Sequence, residues 1–189
     1  MLTVYVDFKV ANAYLAVEPT IAMASELDVA VRWRPFRSSE RPAPTQVEDD
    51  SVAASHRRAR AQSRRNMAEH YAQLRGLTLN WPATPQLTDL ALGVLGSLED
   101  QALPFLRAAF TAYWNDGADL NDSDTVGELL AVCGVNVPLD PEALAEQLEI
   151  SQVEAEAAGV VDVPAYVFDE HVFVGREHLP WIRELVAKG

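Results

Sequence analysis

Residues 2–16, LTVYVDFKVANAYLA, and residues 160–174, VVDVPAYVFDEHVFV, decide how this chain folds. In the first stretch Leu2, Val4, Val6 and Phe8 alternate with Thr3, Tyr5 and Asp7, which is the period of a strand, and the chain then runs into helical spacing. In the second, a Val163-Pro164 step opens two short period-two runs, Ala165–Phe168 and Val172–Val174, joined by Asp169-Glu170 as in a β-hairpin. A proline cannot donate to a sheet ladder, so Pro164 is expected at a strand's start.

Working outward, Val29, Val31 and Trp33 alternate with Ala30, Arg32 and Arg34 and predict another strand. A helix-length segment of about 12–27 separates it from the first, which gives a βαβ unit with a parallel pair and a right-handed crossover. Pro42 and Pro44 mark a loop. From about 51 to 158 the pattern is helical, with breaks at Gly76 to Pro85, Asn115 to Asp122 and Gly134 to Pro141. Asn121-Asp122-Ser123-Asp124 supplies N-cap oxygens for a helix at 124–133, and Asp140-Pro141 caps the next with Pro at its first position. A last helix is expected from about His178 to Lys188. No repeat, linker or second domain interrupts the chain.

These stretches, with others, resemble the DsbA-like thioredoxin superfamily, and within it the 2-hydroxychromene-2-carboxylate isomerases and kappa-class glutathione transferases. Asp7 to Ala16, DFKVANAYLA, is similar to the family's D-F-x-S-P-x-S-Y-L-A, and Arg32 to Phe36, RWRPF, to its second strand ending in R-P-F. Tyr71 to Pro82 resembles the helix exit Y-G-x-x-x-x-x-P, and Ala112 to Asp122 resembles A-x-W-x-x-G-x-D-I-x-D. Val163 to Val167 and Gly175 to Leu179 are similar to V-P-T-F-V and G-x-D-R-L. The resemblance implies an α/β, thioredoxin-like fold, βαβ plus ββα. Its core would be about 1–37 and 159–189, with a large all-helical insertion of about 51–158 in one DsbA-like domain over 1–189.

The resemblance also implies a site. The bond before Pro164 would be cis, presenting the backbone of Val163 to a thiol peptide as an added strand would be. Opposite lies the N-terminus of the first helix, where unpaired N–H groups and the macrodipole favour an anion. Redox members carry Cys at the position of Val10, and the isomerases and transferases carry Ser to hold the sulfur of bound glutathione. Val10 can do neither, and Ala13 replaces the second Cys or Ser. Asn12, the one polar side chain of Val10-Ala11-Asn12-Ala13, either donates to a thiolate or enolate or caps the helix. The family's Ser-Asp pair for the ligand's amino-acid head falls on Arg176 and Glu177, after Gly175. Its glutathione-binding basic residue falls nearest Arg60. The implied cofactor is glutathione or another low-molecular-weight thiol, with no metal.

Composition narrows the partners. With 189 residues, 49% of them hydrophobic, the chain can bury a core without disulfide staples. A net charge of −13 argues against nucleic acid, whose binding needs clustered cations against phosphate. No apolar run suits a membrane span and no leader pattern is visible, so a cytoplasmic protein with no membrane partner is expected. Cys133 is the single cysteine, which rules out a C-x-x-C couple and an intrachain disulfide. Its apolar neighbours mark it as a small hydrophobe. His56, His70, His171 and His178 have no metal-ligand spacing.

Residues 56–65, HRRARAQSRR, are a basic island. On a helix Arg57, Arg60 and Arg64 share roughly one face, where they would either grip the carboxylates of a small anionic ligand or pair with surface acids. The expected function is a glutathione-dependent isomerase or transferase acting on a small aromatic carboxylate. The alternatives are a non-catalytic member that binds a thiol peptide or protein, and a thiol-independent small-molecule enzyme. Thiol–disulfide exchange by this chain alone is excluded, and a homodimer is expected by analogy with kappa-like relatives.

Overall fold

The computed structural model describes residues 1–39, 51–83 and 86–188, so the loop expected at Pro42 and Pro44 lies outside the described residues. Strands β1 (Leu2–Val6), β2 (Val31–Pro35), β3 (Ala165–Phe168) and β4 (His171–Val174) form one sheet in the order β2-β1-β3-β4. β1 runs parallel to β2, with Val4 opposite Trp33, and antiparallel to β3, with Val4 opposite Tyr166. β3 and β4 form the expected antiparallel hairpin. Helix α1 (Ala11–Glu26) crosses over from β1 to β2. The insertion holds α2 (Val52–Leu74), α3 (Asp89–Ser97), α4 (Ala102–Thr111), α5 (Ser123–Cys133) and α6 (Pro141–Ala157), and α7 (Leu179–Val186) follows β4. This is the thioredoxin-like arrangement, βαβ and ββα halves with a helical insertion between them.

β1 is central, and its alternation does not separate inside from outside. Leu2, Val4 and Val6 are fully buried, and so are Tyr5 and Asp7 to within a few per cent, because both faces of the strand are covered. The insertion is tied to β2 through α6. Arg34 Nη2 meets Glu154 at 2.6 Å, and Gln152 Oε1 accepts the N–H of Arg37 at 2.8 Å. α3 lies against α6 at Gly93, where an added Cβ would stand 2.5 Å from the carbonyl oxygen of Leu144.

The helix boundaries follow local chemistry. Asp122 accepts the N–H of Thr125 ahead of α5, and Asp140 accepts those of Glu142 and Ala143 with Pro141 in the first turn of α6. Two breaks are finer than the periodicity showed. A 3-10 turn, Glu99–Gln101, separates α3 from α4, and α4 runs into a π-helical turn at Ala112–Asp116. The last helix begins at Leu179, because Arg176–His178 forms a 3-10 turn of its own. Trp114 is a core residue at 1% exposure, whereas Trp181 stands 66% exposed on α7. Among the described residues no helix is long and apolar enough to cross a membrane.

Candidate functional site

The site begins where β1 turns into α1. Val10 is the N-cap of α1, with extended backbone (φ −97°, ψ 109°) and no side-chain cap bond. Its carbonyl accepts the N–H groups of Ala13 and Tyr14. Those of Ala11 and Asn12 meet no acceptor among the described residues. The helix therefore offers an unneutralised positive end with no acidic residue in its first turn. Val10 and Ala13 are buried, and Asn12 is half-buried. Asn12 sits inside the helix rather than at its cap, so the capping role is not the one it plays.

The turn is braced from below by Asp7. This fully buried carboxylate accepts the N–H of Ser38 at 2.8 Å and the hydroxyl of Thr88 at 2.9 Å, and it pairs with Lys9 Nζ at 3.1 Å. Burial pushes the Asp7 carboxyl above its ordinary range, and the Lys9 ammonium and the hydrogen bonds only partly oppose this. From the insertion, Trp114 Nε1 donates to the carbonyl of Phe8 at 2.9 Å, and Phe110 meets the Phe8 ring edge-on at 5.0 Å. Asp7 thus ties the turn to the segment after β2 and to the start of α3, while α4 and its π-helical extension hold it from the other side.

The second wall is the Val163–Pro164 step, and the bond is cis as expected. The N–H of Val163 is not open, however, because Asp162 Oδ1 accepts it at 2.8 Å. A neighbouring carboxylate thus fills the place where strand-like pairing with a ligand was expected. The carbonyl of Pro164 accepts the N–H of Gly175 at 2.8 Å, which brings the Gly175–Glu177 turn onto this wall. Gly175 has φ +104°, a backbone region that strains any residue with a Cβ, and an added Cβ would also displace the flexible Glu177 carboxyl group 2.5 Å away. Next on the strand, the Tyr166 hydroxyl lies 3.2 Å from Thr20 Oγ1. Thr20 gives its own hydrogen to Ala16 O at 2.7 Å, so Tyr166 is the donor. Burial pushes the Tyr166 phenol up to about 12.

The third wall is cationic and comes from the far end of α2. The Arg176 guanidinium lies 3.7 Å from the centroid of the Tyr71 ring. Arg75, just past α2, donates from Nη1 to the carbonyl of Leu15 on α1 at 2.6 Å. That carbonyl would normally accept the N–H of residue 19, but Pro19 has none, so Arg75 supplies the missing donor. Burial and the nearby Arg176 charge lower the Arg75 pKa.

The structure thus joins Gly175 to Pro164 by a backbone hydrogen bond, with Arg176 and Glu177 following in a turn that packs on α1. Arg60 is exposed on α2, eleven residues before Tyr71, or about 16 Å along the helix axis. Sequence reasoning missed Tyr71 and Arg75 as site residues. The signal for Arg75 was present, since Pro19 inside α1 demanded an outside donor for Leu15. Cys133 ends α5, half-buried, its thiol pKa pushed up by burial.

A four-stranded sheet in the order β2-β1-β3-β4, with a cis-proline just before β3, defines a thioredoxin-fold protein with a helical insertion. The DSBA-like thioredoxin domain model matches residues 1–187, and the chain belongs to that family. No curated protein sequence matches it. Among solved structures it is similar to a 2-hydroxychromene-2-carboxylate isomerase, with a TM-score of 0.78 and 16% identity over 99% of this chain and 94% of that one. It is also similar to a probable DsbA oxidoreductase from Streptomyces coelicolor, with a TM-score of 0.72 and 18% identity over 99% and 88% of the two chains. The cytosolic disulfide reductase DsbM from Pseudomonas aeruginosa gives a TM-score of 0.60 and 17% identity over 99% and 96%. At these identities the likeness carries the fold and leaves the reaction to the site.

Proposed function

We propose that this chain binds a low-molecular-weight thiol, glutathione or a close analogue, with its sulfur at the amino end of α1. In this reading the bound thiolate supplies the nucleophile for an isomerase- or transferase-type reaction on a small aromatic carboxylate. The observation that carries the proposal is the pair of acceptor-free N–H groups at Ala11 and Asn12, which would stabilise a thiolate with no cysteine of the protein's own. The half-buried amide of Asn12 adds a donor, and Arg176 supplies a cation for a ligand carboxylate where the family has a small hydroxyl. Glu177, one methylene longer than the family's Asp, is the acceptor for the ligand's ammonium.

The buried Val10 side chain favours a second reading, in which the ligand is bound but not turned over. Both readings are of a cytoplasmic protein. Trp181 on α7 and, separately, Met67 and Leu74 on α2 are exposed apolar side chains of the kind a second copy of the chain would cover, and light scattering tests that pairing.

Calorimetry with glutathione tests the thiol reading. Wild type should release heat on binding, Val10→Ser should bind more tightly, and Arg176→Ala should lose about 1–3 kcal/mol, the range for a charged hydrogen bond. Absence of heat in all of them retires it. Turnover is assayed separately, by glutathione-dependent conversion of an aromatic electrophile.

A further inference from the structure

A cleft of about 460 Å³ opens between α1, the exit of α2 and α4, on the stretch of α1 that follows the thiol site. Its volume is that of a small-ligand site. Tyr14, Val17, Leu77 and Phe110 form apolar walls, and the Tyr14 and Phe110 rings stack at 5.4 Å between centroids and 21° between planes.

The cleft holds two arginines in different states. Arg107 is neutralised by Glu18, to which it donates from Nε at 2.7 Å and from Nη2 at 2.8 Å. Arg75 meets no carboxylate among the described residues. One nitrogen is fixed on the Leu15 carbonyl that Pro19 leaves without a helical donor, which holds the guanidinium in place with donors to spare. An apolar chamber with one anchored, unneutralised guanidinium is complementary to an amphipathic anion.

We propose that this cleft is a binding site for a small amphipathic carboxylate, with a flat apolar body against Tyr14, which Phe110 backs, and Leu77, and its carboxylate on Arg75. A neutral ligand of the same shape would gain the apolar contact and forgo the charged hydrogen bonds. Placing an anion beside Arg75 also relieves its repulsion with Arg176, whose charge acts on Arg75 across Tyr71. The site stands without the thiol reading, because none of its contacts involves Val10, Asn12 or Pro164.

The test uses 2-naphthoate and its neutral counterpart 2-naphthylmethanol, with binding followed through the methyl NMR signals of Val17 and Leu77 and no thiol present. The acid should shift those signals saturably and bind at least tenfold more tightly than the alcohol. Arg75→Gln should erase the preference for the acid. Thr111→Trp, which fills the cleft from its exposed rim, should abolish binding of both probes. If Arg75→Gln does not fold, the comparison of acid with alcohol on wild type and the Thr111→Trp variant decide the matter. The proposal is overturned by no saturable shift with the acid, by shifts centred away from Val17 and Leu77, by equal affinity for acid and alcohol, or by binding that survives Thr111→Trp.

Discussion

The indole N–H of Trp114 donates to the carbonyl oxygen of Phe8 at 2.9 Å, with Trp114 1% exposed and Phe8 fully buried. Phe8 lies in the turn that leads to Val10, and Trp114 lies in the π-helical turn of the insertion. The bond therefore ties the insertion directly to the site. Trp114→Phe leaves that carbonyl buried with no donor, and urea unfolding should show a loss of about 1–3 kcal/mol from the unpaired group alone. A loss below about half a kilocalorie would mean that the bond does not hold the turn.

Asp7 makes stability depend on pH. Its carboxyl is raised above the ordinary value of 3.8, first by burial. The folded state then keeps a proton that the unfolded chain has released. The contribution to stability is fully present below the unfolded value and is lost as pH rises through the folded one. Asp7→Asn cannot titrate, so the Tm of wild type relative to this variant should fall as pH rises from about 4 towards neutrality. Melting curves of both proteins check this, and a pH-independent difference would sink it.

Pro19 and Arg75 should be coupled. Arg75→Met exposes the missing hydrogen bond at Leu15 and should destabilise by about 1–3 kcal/mol. In a Pro19→Ala background residue 19 can donate to Leu15 itself, so the same change should cost about 1 kcal/mol less. A double-mutant cycle by chemical denaturation measures the coupling, and additive effects would refute it.

Gly93→Ala should destabilise by about 1–3 kcal/mol, the range for overpacking a core. The added Cβ would meet the Leu144 carbonyl at 2.5 Å, and backbone cannot move aside as a flexible side chain can. Thermal unfolding of the variant tests this, and an unchanged Tm would show that α3 and α6 separate freely.

The period-two runs at Leu2–Phe8 and Ala165–Phe168 made the sheet legible, since a strand's pattern is written along its own length. Asp122 and Asp140 did the same for their helices, because capping is local. The cationic wall was harder to read. α2 is polar nearly all round and buries only Ala54, Ala68 and Ala72, so hydrophobic spacing could not fix which way the helix faces. The resemblance pointed to Arg60, whereas Tyr71 and Arg75, which meet Arg176 and the Leu15 carbonyl, are themselves exposed and leave no burial signal in the sequence. Asp162 was equally hidden, because a bond from a side chain to the next residue's N–H leaves no spacing to recognise.

That bond gives the proline edge a tethered competitor. A carboxylate one residue away acts at an effective concentration on the order of millimolar or higher, so an incoming backbone carbonyl has to displace it rather than fill an empty position. Passing unfolded segments, whose only claim on the edge is their backbone, would be turned away. A ligand held elsewhere by its own anchor can still make the exchange. Asp162 would thereby set an affinity threshold for entry, and Asp162→Ala would open the edge to weak and unselective strands.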